Sequence, residues 1–255
     1  MPTPATSDGH RVLTAAASQP LMGKLVDAAW IAEHEQADPK PRLLEFAQSP
    51  SLPDVLRTYE CWLTAVSSVD ANRVSEYWRR LSSERSTHDS ATAELALLHH
   101  QVKSGFSLTF WPANVSGPEW IAELNGKRLA VEVKRFTPEE PFGAEEGVVT
   151  GSVGSDIEEI VAEIEKRRLD AKKQLKAAKN AACTCLGVDL TERVSLAQMR
   201  NPMMEPFLRE GLQPTLDQHT IPDMLVVFCV SVIHPELFGP PIVLCRQTKG
   251  ARDGR

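Results

Sequence analysis

The chain of 255 residues is 42% hydrophobic and 24% charged, which is the balance of an ordinary globular protein. No apolar run approaches the roughly 20 residues that span a membrane, and residues 1–9 lack the basic-then-apolar pattern of a signal peptide. We therefore expect a cytoplasmic protein without a membrane segment. The net charge of −6 argues against a generic nucleic-acid binder, because nonspecific affinity for phosphates comes from Lys and Arg. A basic cluster beside one site would still permit such binding.

Residues 1–20 are rich in Pro, Ser, Thr and Ala, a composition that predicts a disordered tail. Residues 21–89 are predicted to form a helical N-terminal extension, whose role the sequence leaves open. Apolar residues recur at helical spacing over 54–67 and 71–82, which predicts helices with core stripes. The Trp and Tyr residues of these stripes could stack on bases, but packing in the core is the preferred interpretation.

A helix is predicted over residues 91–103, and it carries Glu94 near its start. Taken alone, Glu94 is a solvated acid favoured by the helix dipole. The alternation of Phe106, Leu108 and Phe110 predicts a strand directly after this helix. Residues 111–117 contain Pro and Gly, which predict a loop.

The dipeptide Asn125-Gly126 stands between two alternating runs, and this is the strongest short signal of a β-hairpin with a two-residue type I′ turn. With these two residues as the loop, every cross-strand pair follows by counting outward. The register then brings Glu119 directly opposite Glu132.

The same register sorts the hairpin side chains into two faces, because side chains alternate along a strand. Glu119, Glu132 and Lys134 lie on one face. The other face is apolar and consists of Trp120, Ala122, Leu124, Leu129, Val131 and Val133. Two directly opposed carboxylates repel each other, and a bound divalent cation such as Mg²⁺ removes that cost. The hairpin therefore predicts a metal site.

An exposed polar face with cross-strand ion pairs is the alternative interpretation of these residues. Glu123 opposite Arg128 fits this alternative well, since the two charges are opposite. Glu119 opposite Glu132 does not fit it. The metal site is therefore the preferred interpretation.

After residue 136 the sequence predicts a long acidic loop over 137–155, which is either a lid or a disordered segment. Residues 156–180 predict a long helix with a basic cluster. The cluster is either a solvated helix face or a phosphate-binding surface. Its members are Lys166, Arg167, Arg168, Lys172, Lys173, Lys176 and Lys179.

The C-terminal third predicts three strands, at 183–191, 224–233 and 242–245, and a helix around 203–210. Residues 249–255 predict a disordered tail. The order of helix, strand, hairpin, helix and strand predicts an α/β fold with a mixed central sheet flanked by helices.

These elements resemble the core of the PD-(D/E)xK nuclease superfamily, in which an acid after proline on one strand is followed by Glu/Asp-x-Lys on the next. Pro118-Glu119 matches the first part, with Glu in place of the usual Asp, and Glu132-Val133-Lys134 matches the second. Upstream, Ala93-Glu94-Leu95-Ala96-Leu97-Leu98 and the strand that follows resemble the family's first helix and strand. The resemblance covers roughly residues 90–190. It implies a restriction-endonuclease-like domain, which we expect over 90–248.

The resemblance implies a metal-dependent phosphodiester hydrolase, an endonuclease whose expected substrate is DNA, with RNA left open and with Mg²⁺ or Mn²⁺ as cofactor. It implies that Glu119, Glu132 and the carbonyl of Val133 bind the metal. Glu94 would complete the metal shell, and Lys134 would orient the attacking water or neutralise developing charge.

Lys172-Lys173-Gln174 resembles the Lys/Gln-bearing second helix of several families in the superfamily, which makes it a candidate phosphate-binding segment. The Glu119 replacement and the net acidity favour an alternative function, a catalytically inactive nuclease-like domain that binds a protein or nucleic acid. The expected partner is nucleic acid, with a homodimer or a protein partner left open.

Overall fold

A computed structural model of the protein describes residues 7–136, 153–191, 204–237 and 239–247. The chain divides into two compact units. The first consists of Met1–Gly105 and Val230–Leu237, and the second of Phe106–Cys229 and Phe238–Arg255. The sequence predicts a boundary between residues 89 and 90, but the chain first passes to the second unit after Gly105. The predicted first helix of the nuclease-like domain therefore belongs to the first unit.

The first unit is helical. Its helices are α1 (Ser7–Ala16), α2 (Met22–Leu25), α3 (Ala28–His34), α4 (Arg42–Glu45), α5 (Leu52–Val69), α6 (Val74–Leu81) and α7 (Arg85–Lys103), with a 3-10 turn at Ala71–Arg73. The prediction of a disordered tail over residues 1–20 is wrong for α1, because Val12 and Ala16 bury an apolar face of that helix. Residues 1–6 lie outside the described part of the chain.

The apolar stripes predicted for α5 and α6 are confirmed, and their aromatic residues lie in the core of the first unit. Tyr59, Trp62, Tyr77 and Trp78 are all buried. The indole Nε1 of Trp62 donates a hydrogen bond to the carbonyl of Pro235 at 2.8 Å, within the same unit. These rings are therefore not available to stack on bases.

The second unit is built on a six-stranded mixed sheet in the order β1-β2-β3-β4-β5-β6. The strands are β1 (Ser107–Phe110), β2 (Trp120–Leu124), β3 (Lys127–Arg135), β4 (Cys183–Asp189), β5 (Met224–Phe228) and β6 (Ile242–Cys245). The first three strands form an antiparallel meander, β3, β4 and β5 run parallel, and β6 is antiparallel to β5. The α/β class with a mixed sheet is confirmed.

Two helices cover one face of this sheet. They are α8 (Val153–Ala177), between β3 and β4, and α9 (Met204–Gln218), before β5. Their buried residues pack on strand residues that share this face, including Ile164, Leu175, Leu212, Ala130, Leu186, Val188 and Val227. Because side chains alternate along β3, Glu132 and Lys134 lie on the same helix-covered face as Ala130.

The remaining sequence predictions differ in their element ends. The strand predicted over 224–233 ends at Phe228, because the chain passes to the first unit at Val230. The structure does not describe residues 137–152, 192–203 and 248–255. The predicted C-terminal tail therefore lies outside the described residues. So does the predicted acidic loop, except for residues 153–155, which begin α8. No helix in the described ranges is long and apolar enough to cross a membrane.

Candidate functional site

The turn at Asn125 and Gly126 sets the geometry of the candidate site. Both residues have positive φ angles, 52° and 74°, as a type I′ turn requires. The register that follows pairs Leu124 with Lys127 and ends with Trp120 opposite Val131. The predicted hairpin and its register from Trp120 to Val131 are confirmed.

Glu132 and Lys134 form an ion pair on β3. The Lys134 Nζ lies 2.5 Å from Glu132 Oε1, and the two residues share a face because they are two positions apart in a strand. Glu132 has 0% exposure, whereas the Lys134 side chain is 24% exposed. The lysine therefore pairs with a buried carboxylate while part of its own side chain stays exposed.

Glu132 lies among apolar neighbours of the helix-covered face. Its Cα partner on β4 is Leu186, and Ala130 precedes it on the same face of β3. The alternative of an exposed polar face is therefore wrong for Glu132. A buried charge is costly unless it is paired, so the partner of this carboxylate decides whether β3 is stable.

Glu119 immediately precedes β2, just beyond the last ladder pair. Its N–H donates to the carbonyl of Val131 at 2.9 Å, although the Cα partner of Val131 is Trp120. Two residues of one strand thus oppose one residue of the other, which is the arrangement of a β-bulge. Glu119 is half-buried and is displaced from the direct pairing with Glu132 that the register predicts.

Backbone groups of Val133 point toward the β2 side of β3. The carbonyl of Val131 accepts from Glu119 on that side, whereas the N–H of Phe136 donates to Asp189 on the β4 side at 2.9 Å. Backbone groups alternate in direction along a strand, so those of Val133 point the same way as those of Val131. The carbonyl of Val133 is thereby directed past the end of the β2 ladder, on the side where Glu119 lies.

Glu94 is held within the first unit. Its carboxylate accepts from Arg80 Nη1 at 2.7 Å and from Tyr77 Oη at 3.3 Å, and a second guanidinium nitrogen of Arg80 completes a bidentate pair. Glu94 is only 5% exposed. Its predicted role in a metal shell remains a prediction, and the pairing with Arg80 carries no sequence signal because the two residues lie on different helices.

The candidate phosphate-binding segment lies toward the C-terminal end of α8. Lys173 is exposed, while Lys172 and Gln174 are half-buried. Earlier on the helix, Arg167 pairs with Glu163 at 2.8 Å and Arg168 is buried against Glu165. The basic cluster therefore divides into paired arginines and lysines that are exposed, apart from the half-buried Lys172.

A second buried ion pair, on the opposite face of β3, was not predicted from sequence. Arg135 Nη1 lies 3.2 Å from Asp189 Oδ2, and Asp189 Oδ1 also accepts from the N–H of Thr191 at 3.0 Å. The side chains of Arg135 and Asp189 are 7% and 0% exposed. The sequence signal that could have indicated this pair is Asp189 itself, an acidic residue at the end of an apolar strand. This pair joins the C-terminal ends of β3 and β4 beside Lys134.

The donor atoms on β2 and β3 suit a hard cation. Across the described ranges, no three His, Cys, Asp or Glu side chains gather closely enough to hold a metal ion. A Mg²⁺ ion needs only one or two carboxylates and keeps several waters. Glu119, Glu132 and the carbonyl of Val133 offer oxygen donors, which is the ligand type that such an ion takes.

Comparisons with known proteins add no relative to this description. No protein-family model matches the chain, and no match is found among curated proteins or solved structures.

Proposed function

We propose that the protein is a metal-dependent nuclease of PD-(D/E)xK type that hydrolyses phosphodiester bonds, with DNA as its substrate. The observation that carries this proposal is the Glu132–Lys134 ion pair, a buried acid two residues before a partly exposed lysine on β3. This is the Glu-x-Lys half of the motif with both side chains on one face. The carbonyl of Val133, which points to the β2 side of β3, adds a further oxygen donor.

The order of elements in the second unit also supports the proposal. An antiparallel meander, β1 to β3, is followed by α8 and then by β4, which is parallel to β3. This is the succession of strand, hairpin, helix and strand that the resemblance implies. We infer a restriction-endonuclease-like variant of the α/β class.

Each residue of the site has a definite task in this proposal. Glu119, Glu132 and the carbonyl of Val133 would bind Mg²⁺ or Mn²⁺, which supplies Lewis-acid polarisation and a water of lowered pKa when bound. Lys134, freed from Glu132 by the metal charge, would direct its amino group at the phosphoryl oxygen and offset the charge that develops there. The apolar surroundings of Glu132 exclude water and strengthen these interactions.

A second candidate function is a nuclease-like domain without activity that binds a protein or nucleic acid. The favouring observation is that the Glu132 carboxylate is already neutralised by Lys134. The carboxylate of Glu94 is likewise neutralised by Arg80. Acids that are satisfied in this way need no metal for stability.

Cleavage assays separate the two candidates. The protein is incubated with plasmid DNA and with RNA in Mg²⁺, in Mn²⁺ and in chelator, beside Glu132→Gln and Lys134→Ala. Glu123→Gln is the matched control, because it removes an exposed acid from the same hairpin. We expect metal-dependent cleavage that both site variants lose and the control keeps. Absence of cleavage by the parent with either metal would favour the binding domain.

A further inference from the structure

A pocket of about 290 Å³ lies in the second unit, between the β2–β3 hairpin and the C-terminal end of α8. Arg128 on its wall precedes Glu132 by four residues, about 13 Å along β3. Trp111, on another wall, donates its backbone N–H to the carbonyl of Glu119 at 3.0 Å, so the pocket reaches toward the candidate metal centre but includes none of its proposed ligands. Its lining residues are Trp111, Ile121, Arg128, Ala177, Ala178, Lys179, Asn180 and Ala181.

The inner wall of the pocket is apolar and aromatic. Ile121 and Ala178 belong to the core cluster, and Trp111 packs against that cluster while remaining half-buried. A Cβ atom on Gly117 would come within 2.1 Å of Trp111 Nε1, so a glycine is required beside the indole. A fixed indole on the wall of an open pocket is a surface on which another flat ring can stack.

The mouth of the pocket is basic. The side chains of Arg128 and Lys179 are exposed, and neither forms an ion pair with a carboxylate anywhere in the described part of the chain. Glu123 is the Cα partner of Arg128 but makes no ion pair with it there. The two positive charges together exceed the one negative charge of Glu123 and the partial negative charge, about half a unit, of the α8 C-terminus. The pocket therefore favours an anion.

We propose that this pocket binds a nucleotide, with the base stacked on Trp111 and the phosphate between Arg128 and Lys179. Asn180 offers both a donor and an acceptor to the edge of the base. The volume is at the lower end of the range for ligand pockets, about 300–1,000 Å³, which suits one nucleotide and not an extended ligand. The preference for an aromatic anion follows from the pocket, whereas the choice of a nucleotide rests on the proposed function.

Calorimetric titration in chelator tests the pocket without any contribution from metal. The probes are AMP, adenosine and ribose 5-phosphate, and AMP should bind most tightly because only it carries both ring and phosphate. Trp111→Ala should weaken AMP binding about five- to 150-fold, the range for loss of one stacked base, whereas Trp111→Phe should keep most of it.

Surface variants keep the test independent of folding. Arg128→Gln and Lys179→Gln each alter an exposed side chain, and each should weaken AMP binding about fivefold while leaving adenosine unchanged. Lys24→Gln, an exposed lysine of the first unit, is the charge-matched control and should bind like the parent. AMP binding that is absent from the parent, or equal in all variants, would overturn the proposal.

A labelled single-stranded oligodeoxynucleotide, followed by fluorescence anisotropy in chelator, distinguishes the two sources of a nucleotide. Binding of the strand that depends on Trp111 and exceeds that of AMP assigns the pocket to a base within a strand. If binding of the strand depends on Trp111 to the same degree but AMP binds more tightly, the pocket is assigned to a free nucleotide. Failure of the proposed nuclease would appear separately, as AMP binding by a parent that cleaves nothing.

Discussion

Two buried ion pairs lie on opposite faces of the same end of β3, and they are built differently. Arg135 and Asp189 join two strands, and Asp189 also accepts hydrogen bonds from Thr191. Glu132 and Lys134 belong to one strand, and the lysine end is more exposed, 24% against 7% for Arg135. The first pair is fixed from several directions, while the second has one member, Lys134, whose side chain is partly exposed.

The difference indicates which pair is structural and which is available for chemistry. The planar guanidinium of Arg135 suits a permanent pair, whereas the amino group of Lys134 is a point charge on a flexible stem. A metal can replace the charge of Lys134 beside Glu132. A metal has no such role beside Asp189, because Asp189 already pairs with Arg135 on β3 and accepts hydrogen bonds from Thr191 after β4.

The largest expected effect is the loss of the structural pair. Asp189→Ala should lower the free energy of unfolding by about 3–5 kcal/mol, because it leaves the buried guanidinium of Arg135 without this carboxylate. Urea denaturation measures the change. Glu205→Ala is the matched control, since it removes an acid that pairs with Arg209 at the surface. The control should change stability by less than about 0.5 kcal/mol. Equal changes in both variants would contradict the structural role of Asp189.

An intermediate effect is expected for the other pair. Lys134→Ala should destabilise the protein by about 2 kcal/mol in chelator, because a buried carboxylate loses its cation. Mg²⁺ should reverse most of this loss, since the ion supplies positive charge to Glu132. Thermal unfolding with and without Mg²⁺ measures both quantities. Asp189→Ala serves as the comparison and should not recover. If Mg²⁺ leaves Lys134→Ala as unstable as in chelator, Glu132 does not bind the ion.

The smallest effect is expected at the turn that sets the hairpin register. Gly126→Ala should cost about 1 kcal/mol, because an alanine is strained at the φ of 74° that the turn requires. Gly126→Asn should cost less, since Asn tolerates the left-handed region. Urea denaturation of both variants tests the turn. Equal costs would mean that the strain at Gly126 does not limit the hairpin.

The hairpin could be predicted because the residues that determine it are close together in the sequence. Asn125-Gly126 determines the turn, and alternation then assigns Glu132 and Lys134 to one face. Glu119 departs from the prediction because a bulge at the N-terminal end of β2 shifts it by one position. No turn residue in the sequence indicates that shift. The apolar run after residue 182 likewise predicted β4, since a strand buried in a parallel sheet needs no polar alternation.

Features that depend on distant residues could not be predicted in the same way. Arg135 meets Asp189 only through the parallel register of β3 and β4, which is set across a helical crossover. The return of Val230–Leu237 to the first unit likewise depends on tertiary packing. Residues 224–233 are apolar throughout, both where they form β5 and where the chain leaves the sheet after Phe228. Their composition therefore gives no sign of the strand end, and β5 was predicted too long.

The most direct test of a metal centre at Glu132 is the effect of Mg²⁺ on thermal stability in the parent and in Glu132→Gln, with Glu123→Gln as control. A ligand that binds only the native state stabilises it by about 2.7 kcal/mol at 100 times its Kd. Mg²⁺ should raise the Tm of the parent and of Glu123→Gln, and it should leave the Tm of Glu132→Gln unchanged. An equal rise in all three proteins, or no rise in the parent, would contradict a metal centre at Glu132.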